Sequence, residues 1–208
     1  GRGGLGALWQ RLHHDTVHPT LGWALHPALA QSLDHLLHVF LDDRQRVVPL
    51  QPDERPPLLV ASDAQAEPGQ QPTGAVLVWD PLTDARSGRV TTFSPSLLAT
   101  WGYGPRQLAE GGNPIVLCEA AMVPLFLREY AALVRGRRIL YFFDDVSARH
   151  GFGQGGLDNS SLGRSIQLAR LLAASSGAQP WFGFVDGAAN GSDGASRQFF
   201  LDKFSRDY

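Results

Sequence analysis

Acidic residues stand directly after two of the most apolar segments of the chain. Asp63 follows the run 58–62 (LLVAS), and Asp144 follows the run 139–143 (ILYFF). A carboxylate at the end of a buried strand is costly to desolvate unless a positive charge lies beside it. Two such carboxylates in one place therefore predict a bound cation or a basic partner.

A third acid, Glu119, lies beside an apolar stripe with helical spacing. The stripe consists of Val116, Ala120, Val123, Leu127, Tyr130 and Val134. Any single Asp after a strand is more often a turn or cap residue than a ligand. Asp63 and Asp144 combined with Glu119, however, form a constellation that capping explains less well.

Carboxylate oxygens of this kind suit Mg²⁺ or Mn²⁺. Mg²⁺ typically binds one or two protein carboxylates and completes its shell with water and substrate phosphates. Two such ions about 4 Å apart can activate a water and stabilise the leaving oxygen of a phosphodiester. This chemistry needs clustered Asp and Glu and no nucleophilic Ser or Cys.

The segments around these acids alternate between strand and helix patterns. Strands are predicted at 58–63, 74–79, 90–93, 139–144 and 181–185, with turn material at 84–88. Helices are predicted over 116–134, from a cap at Asn159 or Ser160 through Leu172, and around 193–204. The order βββαβαβα predicts an α/β fold with a five-stranded mixed sheet and flanking helices. In such sheets, sites form beyond the carboxyl ends of parallel strands, where Asp63 and Asp144 stand.

Composition bounds the class of protein. A chain of 208 residues with 43% hydrophobic content can bury one substantial core, which favours one domain plus an appendage. No apolar run approaches the roughly 20 residues of a membrane helix, and the N-terminus lacks a secretory layout. We therefore expect an intracellular protein, cytoplasmic or nuclear, without a membrane partner. The single Cys118 excludes an internal disulfide and a zinc finger.

The first 50 residues differ in composition from the rest of the chain. They are rich in Leu and His with helical spacing, and residues 51–57 (QPDERPP) form a proline-rich connector. We therefore divide the chain into a helical segment at 1–50 and a main domain at 51–208.

The charge of the chain gives little sign of nucleic-acid binding. The formal net charge is −2, so any basic surface must be local. Arg135, Arg137 and Arg138 form the clearest cluster, with Arg149 beyond them. The alternative is a solvated helix end whose arginines complement the helix dipole.

Four segments of the main domain carry a likeness to a known family. They are 60–64 (VASDA) with the strand 74–77, 115–120 (IVLCEA), 142–148 (FFDDVSA) and 185–197, which ends in ANGSDGASR. Together they resemble the ribonuclease H-like domain of retroelement reverse transcriptases, especially those of tyrosine-recombinase (DIRS-like) elements. The likeness covers roughly two-thirds of the chain, and its specificity comes from the order and strand placement of short motifs.

The resemblance implies a two-magnesium site built from four acids. In that family, the acids lie on the first strand, on the first helix, after the fourth strand and at the start of the last helix. They correspond here to Asp63, Glu119, Asp144 and Asp193. Family members usually carry Asn where this chain has Asp145, and we choose Asp144 as the ligand because it ends the strand.

The resemblance also gives the N-terminal segment a meaning. Residues 1–50 look like the helical tail that joins the nuclease to the polymerase domain of the same polyprotein. No polymerase motif is present, so we expect the chain to be a fragment or a detached relative.

The leading hypothesis is an endonuclease that hydrolyses the RNA strand of RNA–DNA hybrids and leaves 3′-hydroxyl and 5′-phosphate ends. The candidate phosphate contacts are Arg135, Arg138, Arg149 and Arg197. Asn190 is a candidate for a sugar or backbone contact, or for a turn-stabilising role.

The sequence does not indicate the oligomeric state. Two alternative functions stay open. One is a catalytically decayed ribonuclease H-like module that supports a polymerase or binds nucleic acid. Pro124 inside the Glu119 helix, the doubled Asp144-Asp145 and the weak basic character favour it. The other keeps the fold and the chemistry but acts on a different nucleic acid, as related exonucleases and transposases do.

Overall fold

The computed structural model of this chain describes residues 54–67, 70–154 and 161–193. It also describes five helical positions of the N-terminal segment, Ala30, Leu33, Asp34, Leu37 and Leu41. The rest of the predicted helical connector lies outside the described residues. So do the helix cap predicted at Asn159 or Ser160 and the helix predicted beyond Asp193.

A five-stranded mixed sheet forms the centre of the fold. Its strands are β1 (Leu58–Gln65), β2 (Thr73–Asp80), β3 (Ala85–Thr92), β4 (Arg138–Phe143) and β5 (Gln179–Phe184). They lie in the order β3-β2-β1-β4-β5. β1, β2 and β3 pair antiparallel, whereas β4 pairs parallel with both β1 and β5. The predicted α/β class, with a five-stranded mixed sheet and flanking helices, is confirmed.

Helices fill the connections. They are α1 (Pro95–Thr100), α2 (Pro105–Ala109), α3 (Ile115–Glu129), α4 (Ala131–Val134), α5 (Val146–Gln154) and α6 (Ser161–Ser176), followed by a 3-10 turn at Gly187–Ala189. Helices α1, α2 and α5 were not predicted from the sequence, although α1 and α2 both begin with proline and Ser94 caps α1 by accepting from Leu97 N at 3.2 Å. Within the described residues, none of the helices has the length and apolarity to cross a membrane.

β3 begins earlier than the sequence predicts. Residues 84–88 read as turn material, but the strand starts at Ala85 and pairs with β2 along its whole length, from Asp80↔Ala85 to Thr73↔Thr92. Residues 85–89 (ARSGR) have weak strand propensity of their own. Pairing with the buried strand β2 overrides that propensity.

The two faces of the sheet differ because side chains alternate along each strand. Leu58 and Val60 of β1 point into the main core, as do Ile139, Tyr141 and Phe143 of β4. Helices α3, α5 and α6 cover that face with apolar residues such as Phe126, Phe152 and Ile166. The alternation assigns Leu59, Ala61 and Asp63, together with Leu140 and Phe142, to the second face.

A buried ion pair between Arg137 and Asp80 lies at one end of the central strands. Arg137 Nη2 lies 2.8 Å from Asp80 Oδ1, Arg137 Nη1 lies 3.2 Å from Asp80 Oδ2, and Nη2 also donates to Pro56 O. The Arg137 guanidinium holds the pKa of Asp80 below its usual value. The pair joins the end of β2 to the beginnings of β1 and β4, so Arg137 has a structural role.

Candidate metal centre

The parallel pair β1 and β4 brings Asp63 and Asp144 together. The register of the pair runs from Leu58↔Ile139 to Ala61↔Phe142. Extending it by two residues places Asp63 beside Asp144, and neighbouring strands lie about 4.8 Å apart. Both acids therefore stand at the carboxyl end of the parallel strands, at the edge of the sheet opposite the Arg137–Asp80 pair.

Glu119 reaches the same edge from helix α3. Its side chain is 2% exposed, and Ala64 N donates a 2.6 Å hydrogen bond to Glu119 Oε1. Ala64 lies beyond Ala61, the last residue of β1 that pairs with β4, so Glu119 accepts from a backbone N–H at a point that β4 does not reach. Pro124 sits within an unbroken α3 and does not displace Glu119, which removes one reason for a decayed site.

The three acids form a tight cluster. Asp63, Glu119 and Asp144 each offer a carboxylate oxygen, and these oxygens lie within 4.8 Å of one another. Asp63 is 6% exposed and Asp144 is half-buried. The side chains come from β1, from α3 and from the residue after β4, so tertiary packing is what creates the cluster.

Burial makes the charged form of Glu119 unfavourable. It raises the pKa of Glu119 to about 10, and the negative charges of Asp63 and Asp144 act in the same direction. Glu119 Oε2 is buried and has no hydrogen-bond partner within the described residues. Burial also raises the pKa of the neighbouring Cys118 to about 12, so its thiol stays protonated at neutral pH.

These residues fit a hard divalent cation. The donor set is oxygen only, as Mg²⁺ and Mn²⁺ prefer. A cation would neutralise the clustered carboxylates and would give Glu119 Oε2 a partner. Asp63, Glu119 and Asp144 are the residues that could hold it.

The neighbours Asp144 and Asp145 have different contacts. Asp145 Oδ1 accepts a 2.6 Å hydrogen bond from Ala148 N, so Asp145 caps helix α5. Asp144 belongs to the acidic cluster. The geometry is therefore the one expected from the choice of Asp144 as the ligand.

Asp193, the fourth predicted acid, is half-buried and is not part of the group of oxygens within 4.8 Å. Its backbone N–H donates to Asn190 O at 3.1 Å. Asn190 itself is 5% exposed and donates through Nδ2 to Ser62 O at 3.1 Å. Of the two roles predicted for Asn190, these contacts correspond to the turn-stabilising one.

The predicted phosphate contacts separate into near and far arginines. Arg149 lies on α5, one turn after Asp145, and is half-buried. Arg138 begins β4 and donates to Arg55 O, and Arg135 precedes it. A strand of six residues is about 20 Å long, so Arg135 and Arg138 lie about that far from the acids, and their predicted contact with nucleic acid would involve a phosphate away from the cluster. Arg197 lies outside the described residues.

Two buried hydroxyls near the cluster, those of Ser62 and Tyr141, were not predicted from the sequence. Both residues are 0% exposed. Burial raises the pKa of Tyr141 above its usual value, and the charge of Glu119 adds to that shift. The buried position of Ser62 could have been predicted from the sequence, because Ser62 lies between Val60 and Ala64 on the core-facing side of the strand pattern.

Comparisons with known proteins give structural neighbours only. No protein-family model and no curated protein matches the chain. RNase H1 from the halophilic archaeon Halobacterium salinarum NRC-1 is similar, with 14% identity over 66% of this chain and 92% of that chain and a TM-score of 0.48. The N-terminal RNase H domain of Rv2228c from Mycobacterium tuberculosis, solved as a fusion with maltose-binding protein, has 12% identity over 68% and 96%, with a TM-score of 0.45. Both TM-scores lie below 0.5, so neither structure says what this chain does.

Proposed function

We propose that this chain is a metal-dependent endonuclease that hydrolyses the RNA strand of RNA–DNA hybrids, as part of a retroelement reverse transcriptase. The observation that carries the proposal is the convergence of Asp63, Glu119 and Asp144 at the carboxyl ends of β1 and β4. Bringing buried carboxylates together costs free energy unless a bound cation or proton neutralises them. A cation site at this edge of the sheet explains the arrangement.

Mg²⁺ or Mn²⁺ is the proposed cofactor. Bound divalent ions supply the charge that activates a water and stabilises the leaving oxygen of a phosphodiester. Asp63 and Asp144 would hold the metal from two neighbouring strand ends, and the Ala64 N–H fixes the Glu119 carboxylate that completes the set. We propose Asp193 as a fourth ligand, on the strength of the family resemblance.

The hybrid substrate and the polymerase partner also rest on that resemblance. Arg149 and Arg197 are the proposed phosphate contacts near the site. Arg149 lies in the first turns of α5, a helix that starts two residues after Asp144. Arg135 and Arg138 would meet nucleic acid only at a distance from the acids. Residues 1–50 are the proposed connector to a polymerase domain of the same polyprotein.

The direct test is incubation of the protein with a hybrid labelled on its RNA strand, in the presence of Mg²⁺ or Mn²⁺. We expect RNA fragments with 3′-hydroxyl and 5′-phosphate ends. Asp144→Asn should abolish cleavage, whereas Asp145→Asn should preserve it because Asn caps a helix as well as Asp does. A folded protein that cuts no RNA with any divalent metal would refute the proposal.

The two alternatives predict different results in the same preparation. Another nucleic-acid substrate predicts cleavage of double-stranded DNA or of a single strand in place of the hybrid. A decayed module predicts that calorimetry detects no Mg²⁺ or Mn²⁺ binding. The formal net charge of −2 still favours the decayed module, but the intact α3 around Glu119 does not.

A further inference from the structure

Asn190 connects two parts of the chain that are 128 residues apart. Its Nδ2 donates to Ser62 O at 3.1 Å, and its Oδ1 accepts from Ser192 N at 3.2 Å and from Ser192 Oγ. Ser62 and Ser192 are 0% exposed and Asn190 is 5% exposed. The side-chain amide of Asn190 is thus bonded inside the protein and holds the turn 187–193 against the end of β1.

This turn borders the acidic cluster on two sides. Ser62, whose carbonyl Asn190 binds, immediately precedes Asp63. At the start of the turn, a β-carbon on Gly187 would lie 3.5 Å from Asp144 Oδ2. At its end, Asp193 N donates to Asn190 O at 3.1 Å. Hydrogen bonds through Asn190 thus connect the backbone of Asp193 to the residue that precedes Asp63.

We propose that Asn190 is a positioning residue for the metal centre, which it serves by fixing the turn that presents Asp193 to a cation held by Asp63 and Asp144. The inference rests on the metal site of the proposed function and does not depend on which nucleic acid is cut. It replaces the predicted contact of Asn190 with nucleic acid by a role inside the protein.

The chemistry of the side chain supports this role. An amide offers a donor and an acceptor at once, and Asn190 uses its donor on Ser62 O and its acceptor on Ser192. Asp at this position would lose the donor and add a negative charge next to Asp63. Partners that orient metal ligands typically contribute about 10–100-fold to metal affinity.

A double-mutant cycle on Mn²⁺ binding, measured by calorimetry, tests the inference. Asn190→Ala and Asp193→Asn should each weaken Mn²⁺ binding by roughly tenfold. The double variant should bind as weakly as either single variant, because both changes remove the same contribution of Asp193. As a matched control, Gln71→Ala removes another amide that donates to a backbone carbonyl, that of Phe93, and should leave Mn²⁺ affinity unchanged.

Each outcome has one meaning. Additive losses in the double variant, or an unchanged affinity of Asn190→Ala, would overturn the inference while leaving the metal site intact. A wild-type chain that binds Mn²⁺ but cuts no hybrid would refute the proposed nuclease and leave the Asn190 result valid. A wild-type chain that binds no Mn²⁺ would overturn both. If Asn190→Ala does not fold, Ser192→Ala removes one bond to Oδ1, and its smaller loss of affinity should disappear in the Asp193→Asn background.

Discussion

Replacing Glu119 by Gln should stabilise the metal-free protein at pH 8. Burial raises the pKa of Glu119 to about 10 from its ordinary 4.5, so between these values the folded chain keeps a proton that the unfolded chain loses. The stability of the wild type therefore falls as pH rises through that window. The slope is at most about 1.4 kcal/mol per pH unit, which bounds the loss between pH 5 and pH 8 at about 4 kcal/mol.

Gln removes this dependence because it is neutral at every pH. Its side-chain oxygen can still accept from Ala64 N, and its NH₂ group would stand near Asp63 as a hydrogen-bond donor. We expect Glu119→Gln to exceed the wild type in free energy of unfolding by about 1–4 kcal/mol at pH 8 and by much less at pH 5. Hybrid cleavage should be lost, because a proposed ligand has lost its charge.

Urea denaturation of chelator-treated protein at pH 5, 6.5 and 8 measures the effect. Glu129→Gln is the matched control, since Glu129 belongs to the same helix but pairs with Arg89 at the surface. That control should shift stability by at most about 1 kcal/mol, without a change in pH slope. Wild-type stability that stays flat from pH 5 to pH 8, or a Glu119→Gln variant less stable than the wild type at pH 8, would refute the reasoning.

Three further predictions concern the surroundings of the cluster. Asp144→Asn should keep or raise the melting temperature of the metal-free protein and should abolish cleavage. Asp145→Ala should lower the free energy of unfolding, measured by urea denaturation, by about 1 kcal/mol because it removes a helix cap. The reverse pattern would make Asp145 the ligand and Asp144 the cap. Arg137→Ala should cost about 3–5 kcal/mol by leaving Asp80 buried and unpaired. In the wild type, the lowered pKa of Asp80 means that this stability is present at neutral pH and is lost as pH falls below about 4, which acid denaturation measures. Arg149→Ala should raise the KM for hybrid more than Arg138→Ala does, and equal effects in steady-state kinetics would remove Arg149 from the site.

The strands that carry the acids were predictable because they are buried. The apolar runs at 58–62 and 139–143 fixed the type and the approximate ends of β1 and β4, and two parallel strands necessarily end at one edge. β3 was predicted only in part, since its first half forms through pairing with β2. Local propensity carries no information about such pairing.

The contacts that define the site in detail were not predictable, because they join distant residues. Glu119 bonds to Ala64 across 55 residues and Asn190 to Ser62 across 128. The distance of Arg135 and Arg138 from the acids, by contrast, follows from the sequence order. They precede β4 whereas Asp144 follows it, so chain direction alone separates them by the length of a strand.

The contrast between acids within this one fold argues for a cation at the cluster. Asp80, equally buried, has a bidentate arginine partner. Asp145 has a helix N-terminus to cap. Glu119 accepts a hydrogen bond from Ala64 N, and the negative charges of Asp63 and Asp144 disfavour its ionised form. Asp80 obtains its positive charge from Arg137, whereas the clustered acids at the opposite edge offer an oxygen-only site that suits a cation bound from solution.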